Sequence, residues 1–88
     1  MHHELKTWPA PFAAVKEGRK KFELRKNDRN FKVGDTLVLR EWIPQSYSTL
    51  EGYYTDRSVT VRVTYICEAG SWGLPPNLCV LSIEEYQP

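Results

Sequence analysis

The sequence predicts a mainly β, α+β fold: a small barrel of about five strands with one short N-terminal helix. Three observations predict it. Short runs of period-two alternation recur along the chain, each bounded by turn residues. Only one segment, near residues 9–17, carries helix signals. And 88 residues with 41% hydrophobic content make one domain, residues 1–88, with a modest core. A closing sheet suits such a chain, because closure hides strand edges that a small open sheet leaves bare.

Residues 3–7, His-Glu-Leu-Lys-Thr, read as a short first strand. Pro9 and Pro11 suit the opening turn of a helix, where missing amide donors cost little. Phe12 and Val15 share one face of that helix, which is two to three turns long, and Gly18 ends it by taking a left-handed backbone. From Lys21 the period becomes two, with Phe22 and Leu24 pointing one way and Lys21, Glu23 and Arg25 the other. Asn27-Asp28 and Gly34-Asp35 mark turns. Thr36–Ile43 is a strong strand, with Leu37 and Leu39 on one face and Val38, Arg40 and Trp42 on the opposite one. The strand near 58–67 puts Val59, Val61, Val63 and Tyr65 inside and Thr60, Arg62 and Thr64 outside. The last strand, about Leu78–Glu84, is apolar on both faces up to Ile83, which suits burial in a closing sheet. Two longer loops are expected to carry binding residues: Pro44–Asp56, with Tyr47, Tyr53 and Tyr54, and Glu68–Asn77, with Trp72.

Charge placement narrows the function more than net charge, which is only +1. From Lys16 to Asp35 eight Lys and Arg face four acids, and the remainder of the chain is net negative. The asymmetry suggests one face for a polyanion, with RNA or DNA the obvious partner; the bland alternative is a solvated, salt-bridged surface. No apolar run approaches the ~20 residues of a membrane span. The first residues show neither an apolar stretch nor a cleavage site, so a cytoplasmic location is expected. Cys67 and Cys79 are too few for a disulfide framework and lie in apolar runs, so buried free thiols are expected. Neither they nor His2 and His3 have the spacing of a zinc site. The chain is expected to act as a monomer without metal, cofactor or membrane partner.

Gly18-Arg19-Lys20-Lys21-Phe22-Glu23-Leu24-Arg25 fits the pattern G-x-K-x-x-E-x-R. Together with His-Glu-Leu-Lys at 3–6, the continuation Lys26-Asn27-Asp28-Arg29 and Val33-Gly34-Asp35, it resembles the ASCH domains of the PUA-like superfamily. Within them it resembles a small bacterial and phage family of uncharacterised function. The resemblance spans nearly the whole chain. It implies a PUA-like β-barrel with a cleft beside the motif, binding RNA, other single-stranded nucleic acid, or a nucleoside or nucleotide.

The residue chemistry suits such a cleft. Lys20 supplies a compact positive charge for phosphate or a developing oxyanion. Ionised Glu23 accepts only, and could take a hydrogen bond from an exocyclic amine such as that of cytosine. Arg25 offers a planar fork that could clamp phosphate or hold Glu23. Lys6, Lys26 and Arg29 would extend the positive surface along a phosphate backbone. Trp42 and Trp72 could stack bases, although Trp42, in mid-strand, is the better candidate for core packing. The competing reading of Glu23 and Arg25 is a same-face surface ion pair, worth roughly 0–1 kcal/mol.

Two other functions are compatible with the sequence. Some ASCH proteins are amidohydrolases of an acetylated cytidine, with a nucleophilic threonine where this chain has Glu23, so that nucleophilic chemistry does not carry over. Lys20 and Glu23 could instead form an acid–base pair that directs water at a phosphodiester or amide. Glu68, Glu84 or Glu85 would then be the candidate third residue. The remaining alternative is a protein-interaction domain, supported by Tyr47, Tyr53 and Tyr54 in one loop.

Overall fold

The computed structural model describes residues 1–45 and 51–86. It contains β1 (His2–Thr7), α1 (Pro9–Lys16), β2 (Phe22–Lys26), β3 (Thr36–Ile43), β4 (Tyr53–Cys67) and β5 (Leu78–Glu85). The strands form one sheet in the order β1-β3-β4-β5-β2, curled into a half-barrel. β1 lies parallel to β3, and every other neighbouring pair is antiparallel. α1 is neither long nor apolar enough to cross a membrane.

Alternation sets the inner face. β1 buries His3, Leu5 and Thr7, and β3 buries Leu37, Leu39 and Glu41. Val61, Val63, Cys79, Leu81 and Ile83 join them from β4 and β5. α1 covers this concave side. Pro9 and Pro11 sit in its first turn, Phe12 and Val15 point inward, and Gly18 terminates it at φ +80°. Trp8 precedes the helix without capping it through its side chain.

Four expectations need correction. Tyr65 is exposed, not inside, because a register shift between Val63 and Tyr65 rotates the strand and sends Ile66 toward the core instead. Trp42 is not a core residue; it stands half-buried on the outer face of β3. The strand expected near 58 starts at Tyr53, so Tyr53 and Tyr54 are strand residues rather than loop residues, and Tyr47 lies outside the described residues. Cys79 is buried, and its burial pushes the thiol pKa up, whereas Cys67 is only half-buried.

The two edge strands, β1 and β2, meet across a seam that side chains close. Arg25 Nη1 donates to the Lys6 carbonyl at 3.1 Å, and Arg29 Nη1 donates to the Glu4 carbonyl at 2.9 Å. Arg25 Nη2 reaches Thr7 Oγ1 at 3.3 Å. Alternate carbonyls along an edge strand point the same way, so two arginines four residues apart can serve Glu4 and Lys6 in turn. Edge groups that would otherwise invite another strand are thereby occupied.

Candidate functional site

The motif begins where α1 ends. The amides of Arg19 and Lys20 both donate to the Ala14 carbonyl, which turns the chain sharply into β2. β2 then inverts the usual polarity. Phe22 and Leu24 face solvent, while Glu23 is 3% exposed and Arg25 half-buried on the concave side. Backbone pairing of β2 with β5 fixes this orientation, since Leu24 stands opposite Val80 on the outer face and Arg25 opposite the inward Cys79.

Lys20, Glu23 and Arg25 converge. Lys20 Nζ donates to Glu23 Oε1 at 2.8 Å and to the Phe22 carbonyl at 2.6 Å. Arg25 Nε donates to Glu23 Oε2 at 2.9 Å. A carboxylate this deep is tolerable only when paired and hydrogen-bonded, and both its oxygens are engaged. Glu23 therefore holds the two cations in place and is poorly disposed to read a base edge. Lys20, by contrast, has three N–H donors, of which these contacts engage two.

A second buried carboxylate lies on the same concave face. Glu41, 6% exposed, stands in register with Thr7, which Arg25 contacts. It accepts from Thr55 Oγ1 at 3.0 Å and lies 3.7 Å from Arg57 Nη1. Arg57 in turn stacks over the buried Phe12 ring. Sequence reasoning missed Glu41. The signal was its parity with Leu37 and Leu39, which puts an acid at an inward position.

The motif borders a cleft of about 510 Å³. It is lined by the aliphatic Val15, Val59, Val61 and Ile83, by Lys16, Lys20 and Lys21, and by Glu84 and Glu85. The volume falls in the range of small-molecule sites. Glu84 is held by Arg62. Of the candidate third residues, Glu84 and Glu85 line the cleft with Lys20, and Glu68 does not. Glu23 and Arg25 lie behind Lys20 rather than on the cleft wall.

The remaining predicted residues lie apart from the cleft. Lys6, Arg25, Lys26 and Arg29 surround a smaller hollow of about 200 Å³ at the β1–β2 seam, with Asp28 as its acid. Trp72 is 92% exposed in the β4–β5 loop and lines neither concavity. Its φ of +53° is uncommon for a bulky residue.

A model of a family described as "Domain of unknown function (DUF3850)" matches residues 2–83. The chain is also 40% identical over 70 residues to a protein of Escherichia phage P2 described as "Uncharacterized 12.9 kDa protein in GpA 3'region". That alignment takes in 80% of this chain and 58% of the phage protein, so this chain matches little more than half the length of that relative.

Proposed function

This chain belongs to the DUF3850 family, and from that premise we propose that it is an ASCH-like module that binds RNA or a nucleotide in the cleft beside the G-x-K-x-x-E-x-R motif. The observation that carries the reading is one cleft lined together by aliphatic side chains, three lysines and two glutamates. A nucleotide has matching parts. Its base would cover Val15, Val59, Val61 and Ile83, and its phosphate would meet Lys16, Lys20 and Lys21. Glu85, in register with the inward Val61, would accept from an exocyclic amine. Glu23 contributes by fixing Lys20, so that the ammonium is oriented before a phosphate arrives.

Binding of a labelled single-stranded RNA, measured at rising salt, tests this. Lys20→Ala combined with Lys21→Ala should weaken binding and flatten its salt dependence, because fewer counterions are released. Salt-insensitive behaviour, or no binding to any RNA, single-stranded DNA or nucleotide, ends the proposal.

One observation favours a hydrolase as the second reading: Lys20 shares its cleft with Glu84 and Glu85. Turnover of an N-acetylated cytidine, or metal-independent RNA cleavage lost in Lys20→Ala, would promote it. Absence of both in a preparation that binds nucleotide would leave the binding module.

A further inference from the structure

The outer face of β1, β3 and β4 carries a row of aromatic rings that the cleft does not use. Trp8 follows Thr7, and Thr7 is in register with Glu41, so Trp8 stands beside Trp42 with ring centroids 6.5 Å apart. Trp42 is in register with Tyr54 on β4. The row thus crosses three adjacent strands. One step back along the same face, Lys6 and Arg40 are in register and lay their charges over the rings. Lys6 Nζ is 4.1 Å from the Trp42 centroid, and the Arg40 guanidinium is 4.0 Å from that of Tyr54.

Gly52 backs Trp42 so closely that a Cβ there would overlap the indole. Trp42 is therefore the supported member of the row. Trp8, 57% exposed, is its open member, and Tyr54, 43% exposed, has one ring face covered by Arg40 and the rest toward solvent. α1 leaves this face bare, since its buried residues point into the concave side.

Lys6 links the row to the seam, for it also lines the hollow with Arg25, Lys26 and Arg29. Lys6, Lys26, Arg29 and Arg40 stand here against Glu4 and Asp28, with Arg25, which Glu23 engages, at the seam between them. Aromatic rings alone would suit a protein partner equally well. Rings flanked by a cationic groove match the repeating unit of a single strand, a base with a π-face and a phosphate.

We propose that this outer surface is a second contact region for single-stranded nucleic acid: bases stack on Trp8 and Tyr54, and the backbone passes over Lys6 into the seam beside Lys26. This rests on the reading of the chain as a nucleic-acid-binding module. It adds a surface separate from the motif cleft and makes a longer strand the preferred ligand.

The test compares the whole chain with Trp8→Ala, Trp8→Phe and Lys26→Ala, using a labelled oligouridylate of about twelve nucleotides and cytidine monophosphate as probes. Trp8→Ala should weaken oligonucleotide binding about tenfold, Trp8→Phe should restore most of it, and Lys26→Ala should lower the salt slope by about one. None should alter binding of the mononucleotide. Unchanged oligonucleotide binding in Trp8→Ala and Lys26→Ala, with loss in Lys20→Ala, overturns the second surface and leaves the cleft intact. Equal losses in Trp8→Ala and Trp8→Phe, with altered melting, assign Trp8 a structural role and overturn the proposal. If the wild-type chain binds neither probe and Trp8 is instead buried by a protein partner, both readings fall.

Discussion

The inner and outer faces of this sheet each carry residues more usual on the other. Inside, among aliphatic side chains, lie Glu23, Glu41 and Asp35; outside stand Trp8, Phe22, Leu24, Tyr54 and Tyr65. The inner acids are all engaged. Glu23 has Lys20 and Arg25, Glu41 has Thr55 and Arg57, and Asp35 has His3 and the Lys32 amide. Among the described residues no buried side-chain nitrogen or oxygen lacks a hydrogen-bond partner. The outer rings have few partners beyond the cations that lie over two of them. Inner polarity here organises side chains, whereas the exposed rings and the lysines at the cleft mouth are left largely to solvent.

One residue type on two faces gives the sharpest comparison. Phe12, on α1, is fully buried against the concave side, so Phe12→Ala should cost about 4 kcal/mol in denaturant unfolding. Glu23→Ala comes next. It leaves two cations facing each other around a vacated carboxylate and should cost about 3 kcal/mol, the low end for a broken buried pair, since Lys20 and Arg25 keep some contact with water. A loss near zero would mean that Glu23 is solvated and that the inner face is not organised as described.

Asp35 gives a pH signature at the other end of the inner face. Burial alone would raise its pKa, but hydrogen bonds from His3, the Met1 amine and the Lys32 amide outweigh it and hold the pKa at about 2, against 3.8 ordinarily. A depressed carboxylate pKa contributes stability that is complete above the ordinary value and is lost as pH falls toward the folded one. Stability should therefore drop between about pH 4 and pH 2 in the wild type, and Asp35→Asn should flatten that slope. The smallest effect belongs to the outer face: Phe22→Ala should change stability by about 0.5 kcal/mol.

Much of the fold was legible because local signals agreed. Alternation located five strands, and the prolines with Gly18 bracketed the helix. Long-range pairing was not legible. Nothing local dictates that β1 runs parallel to β3 or that β2 pairs with β5. That pairing decides which face of β2 turns inward, so the sequence showed Glu23 and Arg25 sharing a side without showing that the side was the buried one. Tyr65 was misplaced for a related reason, since one bulge reverses every parity beyond it. The direction of Lys20 was not legible, since by parity it goes with Phe22 and only the turn after α1 brings it to Glu23. Nor was the separation of the seam residues from the cleft, because Arg25 and Arg29 reach carbonyls on a strand some twenty residues earlier in the chain.

The cleft is the place where nucleotide binding can be seen residue by residue. Amide shifts of the isotopically labelled chain, followed during titration with cytidine or adenosine monophosphate, would test it. The prediction is saturable movement at Gly18, Lys20, Lys21, Ile83, Glu84 and Glu85, with Asp35 and Leu37 unmoved and with the response abolished in Lys20→Ala. An unresponsive cleft, or shifts confined to residues elsewhere, would contradict it.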